Sequence, residues 1–339
     1  MRPVARPLRV VIAGAGFASG MHLPGWSRLP DVHVVAICDP DREKAQARAR
    51  EHGIAHAFGD AREMLDATKP DALDIAAPLD AHVALCRLAA DRGVHVLCQK
   101  PLAPTLAQAV DLAQAVEGRV RLMVHENWRF RAHYREMKRW LDDEAIGQPH
   151  YATLQVRSRA LVANDEGALP LLLRQPSLGR LSRFMIGEVL VHHLDVLRWL
   201  LGPLDVVAAR TARGCAGIEG ESGALVVLEG RHVLVTLEGD FTVPDAPERT
   251  TDRLEIVGSA GALSLEENVA RVRGAHPRTA TFDLAAGYGD SYAAAIAHFA
   301  DALTTGSAFE TGVRDNLRTL GLVEAAYAKA GIVTSGAVQ

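Results

Sequence analysis

Short aliphatic runs alternate with amphipathic stretches over the first third of the chain. The runs that are apolar at nearly every position lie at residues 8–13, 32–38, 72–76, 94–98 and 120–124. Because such runs are typical of strands buried on both faces, and because helical spacing separates them, they indicate parallel strands joined by helices. We predict an α/β domain of the Rossmann type, with a doubly wound parallel sheet, over residues 1–125.

The pattern changes after residue 125, where strands follow one another across short polar or glycine turns. We predict strands at 148–159, 204–213, 223–230, 232–241, 253–257 and 269–273. We predict helices at 188–201, 291–304 and 313–330, the first of them ended by Gly202 and Pro203. These elements predict a second domain over residues 126–339, of the α+β class with a mainly antiparallel sheet.

Composition narrows the class of partner. With 339 residues, 48% of them hydrophobic, and a net charge of −4, the chain has the profile of a globular protein of two domains. The acidic balance argues against nucleic acid as the main partner, so we expect a small molecule. Because no apolar run approaches the roughly 20 residues of a membrane span, and residues 1–7 lack the apolar stretch of a signal peptide, we expect no membrane contact and a cytoplasmic location.

The four cysteines, Cys38, Cys86, Cys98 and Cys215, have no paired spacing. Three of them fall in apolar strand or helix patterns, which favours buried free thiols over disulfides or a metal framework. Free thiols fit a reducing compartment.

A glycine turn follows the first predicted strand directly. It reads Gly14-Ala15-Gly16-Phe17-Ala18-Ser19 and opens a predicted helix. Two glycines at this spacing allow a tight turn and let a pyrophosphate approach the N–H groups at the helix start, where the helix dipole favours an anion. The structural alternative is a glycine-rich turn of any α/β protein. Its place at the first strand–helix junction favours a dinucleotide site.

Asp39 ends the second predicted strand, 20 residues after Ser19. A carboxylate at this place binds the adenosine ribose hydroxyls and repels a 2′-phosphate, which favours NAD over NADP. Arg42, three residues later, keeps NADP possible. The sequence therefore predicts NAD as the cofactor, with NADP as the alternative.

Lys100 stands out among the charged residues. It is one of five lysines against 32 arginines, and it follows the predicted strand 94–98 closely. A lysine, unlike an arginine, gives up its proton when it is buried or lies beside another positive charge. The structural alternative is an exposed lysine at the end of an edge strand.

Several short motifs resemble those of one oxidoreductase family. They are Gly14-Ala15-Gly16-Phe17, Asp39, Ala76-Ala77-Pro78 with His82, Lys100-Pro101, Asn127-Trp128-Arg129-Phe130, the segment 187–195 and Thr311-Gly312. Together they are similar to the glucose-fructose oxidoreductase, inositol dehydrogenase and MocA family over nearly the whole chain. The resemblance implies a Rossmann domain, then a domain with an open sheet through which subunits usually associate, and carbohydrate-type alcohols as substrates. We therefore expect a homodimer or homotetramer formed through the C-terminal sheet.

The resemblance also assigns residues to sites. It implies cofactor contacts at Gly14, Gly16, Phe17, Ala18, Asp39, Ala77, Pro78, His82, Gln99 and Lys100. It implies substrate contacts at Lys100, Asn127, Arg129, Glu188, His192 and Asp195. The expected catalytic residues are Lys100, His192 and Glu188, and no metal is expected.

The chemistry of these side chains supports the assignment. Oxidation of a secondary alcohol needs a group that takes the hydroxyl proton as the hydride leaves, and this group should titrate near the working pH. Histidine does so without perturbation, which suits His192, and Lys100 follows a predicted strand at the end where α/β sheets bind ligands. Glu188 precedes His192 by about one helical turn, so its carboxylate can orient the ring. Asp195 shares this face, whereas His193 points elsewhere and suits a structural role.

Other interpretations of these residues stay open. Glu188, His192 and Asp195 can be a metal site, although the spacing suggests no further ligand. Asn127 and Arg129 either contact the ligands or start a helix at the surface. Five arginines between residues 157 and 183 either bind an acidic sugar or a phosphate or form a solvated or subunit-contact face, the commoner case: Arg157, Arg159, Arg174, Arg180 and Arg183.

Three positions depart from the motifs of the resembled family. Gln99 stands where its signature has glutamate before the lysine, and Glu188 and Leu190 stand where its second motif has aspartate and glycine. Gln99 removes a charge beside Lys100, which changes either the chemistry of the lysine or only a structural hydrogen bond. These departures leave the choice of substrate open.

The expected function is therefore that of an NAD(P)-dependent oxidoreductase. It transfers a hydride between a nicotinamide cofactor and a secondary alcohol or hemiacetal carbon of a sugar, an inositol-like polyol or a related carbohydrate. Within the family, aldose 1-dehydrogenases, including the apiose type, and inositol-type dehydrogenases are the nearest guesses. One alternative is a non-catalytic NAD-sensing regulator, against which the intact Lys100 and His192 argue, and the other is an NAD-dependent glycoside-cleaving enzyme.

Overall fold

The computed structural model describes residues 7–332. Residues 1–6, which belong to the segment examined for a signal peptide, lie outside the described residues. Contacts divide the chain into two units: the first holds the residues up to Phe130 together with Ala285–Leu320, and the second holds Arg131–Leu284 together with the residues from Gly321 onward. The predicted division at residue 125 did not anticipate that residues 285–320 pack with the first unit.

The strands and helices follow one another along the whole described chain. The strands are β1 Leu8–Ala13, β2 Val32–Cys38, β3 His56–Phe58, β4 Ala72–Ile75, β5 His95–Gln99, β6 Leu122–His125, β7 Pro149–Arg157, β8 Asp205–Ala212, β9 Gly223–Glu229, β10 Leu234–Asp240, β11 Thr251–Gly258, β12 Gly261–Glu266, β13 Val269–Gly274 and β14 Arg278–Thr281. The helices are α1 Phe17–Trp26, α2 Arg42–His52, α3 Ala61–Thr68, α4 Leu79–Ala90, α5 Leu106–Val116, α6 Ala132–Asp142, α7 Pro170–Arg174, α8 Val191–Leu201, α9 Leu284–Thr305 and α10 Val313–Lys329. Short 3-10 turns lie at Trp128–Phe130 and Pro176–Arg180, and a π-helical turn at Met185–Leu190 precedes α8.

The first unit is the predicted Rossmann-type domain. Its six strands lie in the order β3-β2-β1-β4-β5-β6, and every pair is parallel. The carboxyl ends of parallel strands meet at one edge of the sheet, which is where open α/β sheets bind ligands. The predicted α/β fold is confirmed, and this edge is where the glycine turn, Asp39 and Lys100 lie.

Helices cover both faces of this sheet. On one face Trp26 of α1 packs with Ile296 and Phe299 of α9, and on the other Met64 of α3 and Leu112 of α5 are buried. Burying one such side chain stabilises the fold by about 1.5–3 kcal/mol. The first face is therefore completed by a helix that the chain supplies some 250 residues after α1.

The edge strand β6 is held by a returning segment. Met123 forms an isolated bridge with Gly312, and Val124 N–H donates to Thr311 O at 2.9 Å. The Thr311 hydroxyl donates back to Val124 O at 2.6 Å. These bonds satisfy backbone groups that an open edge strand exposes.

The second unit contains the predicted mainly antiparallel sheet. Its eight strands lie in the order β14-β13-β12-β11-β7-β10-β9-β8. Only the β7–β10 pair is parallel; the other neighbours are antiparallel. Along β7, Leu154 is buried while its neighbours Thr153 and Gln155 on the opposite face are partly exposed. This alternation is that of a sheet with one buried face and one outward face.

Two expectations from the composition, on the cysteines and on membrane spans, can be compared with the structure. The four cysteines are free thiols, and Cys38, Cys86 and Cys98 are buried, as predicted. Among residues 7–332, none of the helices combines the length and the apolar character that crossing a membrane requires.

Candidate active site

The glycine turn brings two strands and a helix together in the first unit. Gly14 has φ +104°, in the left-handed region, and a Cβ atom there would lie 2.4 Å from Ala76 O. Its N–H donates to Cys38 O at 2.8 Å. Only glycine fits this position, because any side chain would collide with the end of β4.

The space beside Gly16 is open. A Cβ atom at Gly16 would meet no atom within 4 Å, and α1 begins directly after it with no side chain capping its first N–H groups. The Ser19 hydroxyl donates to Gly16 O at 2.8 Å, which explains how a serine serves at this place in the turn. Phe17 is exposed, and Ala18 is partly exposed beside it. This geometry suits an anion approaching the helix start.

Asp39 is held at the carboxyl end of β2. One carboxylate oxygen accepts from Ala15 N–H and the other from Asp41 N–H, both at 2.9 Å. Arg48 also contacts the turn, because its Nη2 donates to Gly16 O at 3.2 Å. No sequence motif predicted this contact. The hydrogen bonds to its carboxylate hold Asp39 against the glycine turn.

The loop after β4 is tied to the segment after β5 by His82. Its Nε2 lies 2.9 Å from Ala77 O and its Nδ1 2.9 Å from Pro101 O, and the ring is buried. Burial lowers the pKa of His82 below its ordinary value, and this effect exceeds that of the two carbonyl oxygens, which raise it. Pro78 precedes the first residue of α4. These contacts support a positioning role for His82, and its predicted contact with a cofactor stays a prediction.

Lys100 follows an inner strand of the sheet, because β5 lies between β4 and β6. Its side chain is partly buried, and the Lys100–Pro101 peptide bond is cis. Its backbone N–H donates to Gln99 Oε1 at 2.7 Å. The interpretation as an exposed lysine on an edge strand is therefore wrong.

Asn127 and Arg129 lie after β6 and are buried. Asn127 Nδ2 donates to the Ser291 hydroxyl at 2.8 Å. Arg129 donates to the Asp315 carboxylate at 2.6 Å and to Glu310 O at 3.2 Å. Neither is the surface residue that one interpretation expected, and their substrate contacts stay predictions.

In the second unit, the helix predicted from Glu188 begins earlier and with a different geometry. Residues Met185–Leu190 form a π-helical turn, and α8 starts at Val191. A π-helical turn has hydrogen bonds one residue longer than an α-helix and is frequent at functional sites. Glu188 lies in this turn and His192 in α8. The prediction that both lie one turn apart on a single regular α-helix is therefore wrong.

A buried carboxylate holds the start of this turn. Glu221 accepts from Ile186 N–H at 3.0 Å and from the Tyr327 hydroxyl at 2.6 Å. The Tyr327 oxygen in turn accepts from Gly187 N–H at 2.9 Å. Burial and the nearby Glu221 raise the pKa of Tyr327 well above its ordinary value, so its hydroxyl stays protonated and donates. The residue next to Glu188 is thus anchored by α10.

The two neighbouring histidines of α8 differ in their surroundings. His193 Nε2 lies 2.9 Å from an Asp252 oxygen, whose partner oxygen accepts from the Tyr134 hydroxyl at 2.7 Å. Burial alone would raise the pKa of Asp252, but the charge and hydrogen bond of His193 lower it well below its ordinary value. This network confirms the structural role expected for His193. His192 is 6% exposed, and Asp195 lies in α8 with Arg198 Nη2 at 3.3 Å.

Three of the five arginines between residues 157 and 183 form ion pairs within the second unit. Arg157 pairs with Glu238 at 2.8 Å, Arg183 with Glu324 at 2.9 Å, and Arg174 with Glu248 at 3.5 Å. These pairs favour the solvated-face interpretation over an anion site. The part of the chain described between residues 7 and 332 contains no group of three or more His, Cys, Asp or Glu side chains placed to hold a metal ion.

A parallel six-stranded sheet with a glycine turn and an acidic residue at its carboxyl edge defines a dinucleotide-binding protein. Two family descriptions match the chain: residues 8–126 match the oxidoreductase family with an NAD-binding Rossmann fold, and residues 134–264 match the GFO/IDH/MocA C-terminal domain.

Individual relatives match over nearly the full length. A D-apiose dehydrogenase of Paraburkholderia graminis is 34% identical, over 94% of this chain and 86% of its own length. A D-apiose dehydrogenase of Rhizobium rhizogenes is 29% identical, over 95% of both chains. The crystal structure of an oxidoreductase from Agrobacterium radiobacter in complex with NAD+, L-tartaric acid and magnesium is 28% identical, with a TM-score of 0.89 over 96% of both chains. The chain therefore belongs to the Gfo/Idh/MocA family of oxidoreductases.

The residues of the first unit fit NAD. The open space at Gly16, the uncapped start of α1 and the carboxylate of Asp39 are the features that a pyrophosphate and an adenosine ribose require. Gly14 and Gly16 would hold the pyrophosphate, and Asp39 the ribose.

Substituting Asp39→Asn is expected to weaken NAD binding and to shift the preference toward NADP. A hydrogen bond to a charged group contributes about 1.5–3 kcal/mol, so the dissociation constant for NAD should rise about tenfold to a hundredfold. Titration calorimetry with both cofactors measures this change. Asp66→Asn, at an exposed ion pair with Arg92, is the control and should bind NAD as the wild type does. Unchanged binding of NAD by Asp39→Asn would show that Asp39 does not contact the ribose.

Substituting Tyr327→Phe is expected to lower the free energy of unfolding by about 1–3 kcal/mol, because Glu221 and Gly187 N–H lose a buried partner. Urea denaturation measures the change. Asp142→Asn, at an exposed ion pair with Lys138 on α6 in the same unit, should change the free energy of unfolding by less than about 0.5 kcal/mol. Equal stability of Tyr327→Phe and the wild type would mean that α10 does not hold the π-helical turn through this hydroxyl.

Proposed function

We propose that this protein is an NAD-dependent dehydrogenase that oxidises a CH–OH group of a sugar, with an aldose of the apiose type as the first candidate. One observation carries the proposal: Lys100 follows an inner strand at the same sheet edge as the open glycine turn and Asp39. A group able to take a proton therefore lies on the cofactor side of the sheet. Two D-apiose dehydrogenases that match nearly the whole chain support the choice of substrate class.

The proposal gives each side chain a task. When bound, NAD accepts the hydride that leaves the alcohol carbon. The Lys100 amine takes the proton of the same hydroxyl, so that carbon and oxygen lose a hydride and a proton. The family resemblance, and not helical spacing, supports the remaining roles: His192 is the second proton-transfer group, Glu188 orients its ring, and Asp195 binds a substrate hydroxyl.

The proposal is tested with a panel of substrates. D-apiose, other aldoses, myo-inositol and sugar acids are each supplied with NAD and with NADP, and the absorbance of the reduced cofactor is followed. We expect steady formation of NADH, fastest with an aldose. Cleavage of a glycoside without net NADH, or binding of NAD and sugar without any turnover, would contradict the proposal and favour the glycoside-cleaving enzyme or the NAD-sensing regulator, respectively.

Substituting Lys100→Ala is expected to lower kcat by about a hundredfold or more, because a positioned proton acceptor contributes about 10²–10⁴ to the rate. Lys138→Ala, at an ion pair on α6, is the matched control and should keep the wild-type kcat. His192→Asn should change the pH dependence of kcat. Full turnover by Lys100→Ala on the preferred sugar would remove the lysine from the mechanism.

We further propose that the outward face of the second sheet joins subunits into a homodimer or homotetramer. Tyr151, Leu225 and Leu234 are large apolar side chains on this face that are 40% to 45% exposed. Tyr151 and Leu234 are direct neighbours on the parallel strands β7 and β10. Adjacent exposed apolar side chains on the outward face of a sheet favour contact with a partner of the same kind.

Substituting Tyr151→Asp is expected to dissociate the oligomer, because burying an unpaired carboxylate in an interface has a large unfavourable free energy. Size-exclusion chromatography with light scattering gives the mass in solution. Leu173→Asp replaces an apolar side chain that is 65% exposed on α7 and should leave the mass unchanged. A wild-type protein of monomer mass would refute the proposed oligomer directly.

The cytoplasmic location predicted from the sequence stays part of this proposal. The four free cysteines support it, because extracellular compartments favour disulfides. Cell fractionation with an antibody to the protein tests it.

A further inference from the structure

A carboxylate lies buried in the middle of the parallel sheet. Asp74 is in β4, between β1 and β5, and is 0% exposed. Trp26 Nε1–H donates to it at 2.6 Å, and His22 Nδ1 lies 3.0 and 2.9 Å from its two oxygens. Because burying an ionised carboxylate costs several kcal/mol unless it is hydrogen-bonded, this arrangement calls for a function.

The network does not end at Asp74 but continues to Lys100. His22 Nε2 lies 3.1 Å from Gln99 Nε2, and Gln99 Oε1 accepts from the backbone N–H of Lys100 at 2.7 Å. Four groups thus form a chain from the sheet interior to the lysine: Asp74, His22, Gln99 and Lys100.

The direction of every hydrogen bond in this chain is determined by its ends. The Lys100 backbone N–H can only donate, so the Gln99 atom facing it is the carbonyl oxygen, and the Gln99 amide nitrogen faces His22. An amide nitrogen can only donate, so His22 Nε2 carries a lone pair. The proton of the neutral ring is therefore on Nδ1, where it is donated to Asp74.

The other neighbours of His22 do not supply a charge that would change this assignment. The His125 ring of β6 lies 4.2 Å from it, centroid to centroid, and the Tyr292 ring of α9 lies 5.6 Å from it. Two positively charged imidazole rings this close would repel each other. Asp74 is the one carboxylate among the groups described around His22 from α1, β4, β5, β6 and α9.

We propose that His22, supported by Asp74, is a positioning residue for Lys100. As a neutral ring with its proton on Nδ1, it holds the Gln99 amide in the one orientation that fixes the backbone of Lys100. This role rests on the proposed function, in which the Lys100 amine transfers the proton.

The network also accounts for glutamine at position 99. A glutamate there would offer a second oxygen to His22 Nε2, and that contact requires a proton on Nε2. His22 would then be doubly protonated between two carboxylates, and a negative charge would lie beside the backbone of Lys100. Glutamine at position 99 therefore supplies the donor that the unprotonated Nε2 of a neutral His22 accepts.

Nitrogen NMR tests the proton positions without any turnover. The wild-type protein is labelled with ¹⁵N-histidine, and His22 is assigned by the signal that His22→Asn lacks. At neutral pH we expect a protonated Nδ1 and an unprotonated Nε2 in the wild type, because Nε2 accepts from the Gln99 amide, and protonation of both nitrogens in Gln99→Glu. A proton on Nε2 in the wild type, or a His22 signal that Gln99→Glu leaves unchanged, would overturn the assignment.

Kinetics with the sugar found in the panel tests the positioning role. The amide of His22→Asn can still donate to Asp74, but the shorter side chain does not reach Gln99, so kcat should fall about tenfold to a hundredfold while the dissociation constant of NAD stays unchanged. His95→Asn, another buried histidine of the first unit, is the control and should keep the wild-type kcat. Gln99→Glu, which retains His22 and Asp74, should add a second titration to the pH profile of kcat.

Two results would contradict the positioning role. One is a His22→Asn variant with a wild-type kcat and only a lower melting temperature, and the other is a pH profile of Gln99→Glu identical to that of the wild type. If no sugar is oxidised, the proposed function fails, whereas the NMR result still decides the proton positions. The two failures are therefore distinguishable.

Discussion

The buried carboxylate of Asp74 is the constraint on which the candidate site of the first unit depends. An ionised group inside a parallel sheet is stable only if each of its oxygens has a hydrogen-bond donor, and here α1 supplies both donors, Trp26 and His22. The same helix begins at the open glycine turn. One short helix thus carries the feature that suits a pyrophosphate and the side chain that reaches toward Lys100 through Gln99.

The second unit repeats this principle with different residues. Glu221 is also a buried carboxylate, and it holds the start of the π-helical turn that contains Glu188. Its hydrogen bond from Tyr327 brings α10 into the arrangement. In both units a buried acid fixes the backbone beside a side chain that the proposed mechanism uses, and neither acid is assigned to the reaction itself. Such supports reduce the movement of the side chains they hold, which is what positioned proton transfer requires.

The fold was predictable wherever a pattern was long. Aliphatic runs predicted five of the six parallel strands, and the glycine turn and Asp39 were found because their chemistry depends on local sequence. The three-residue strand β3 was too short to give a pattern, and the packing of α9 on the Rossmann sheet depends on contacts between distant parts of the chain. The π-helical turn was missed because its sequence looks like the first turn of an α-helix. A carboxylate within an apolar central strand needs a partner, so the sequence marks Asp74 as unusual, but no local pattern identifies His22 as that partner.

The hydrogen-bond network of Asp74, His22 and Gln99 explains the departure at position 99, because an amide there accepts from the Lys100 backbone N–H and donates to His22. The most direct measurement is neutron diffraction from a perdeuterated crystal at neutral pH, which locates the deuterons on His22 and Gln99. We expect a deuteron on Nδ1 of His22, none on Nε2, and the two amide deuterons of Gln99 on the atom that faces the ring. A deuteron on Nε2, or a Gln99 oxygen facing the ring, would contradict this expectation.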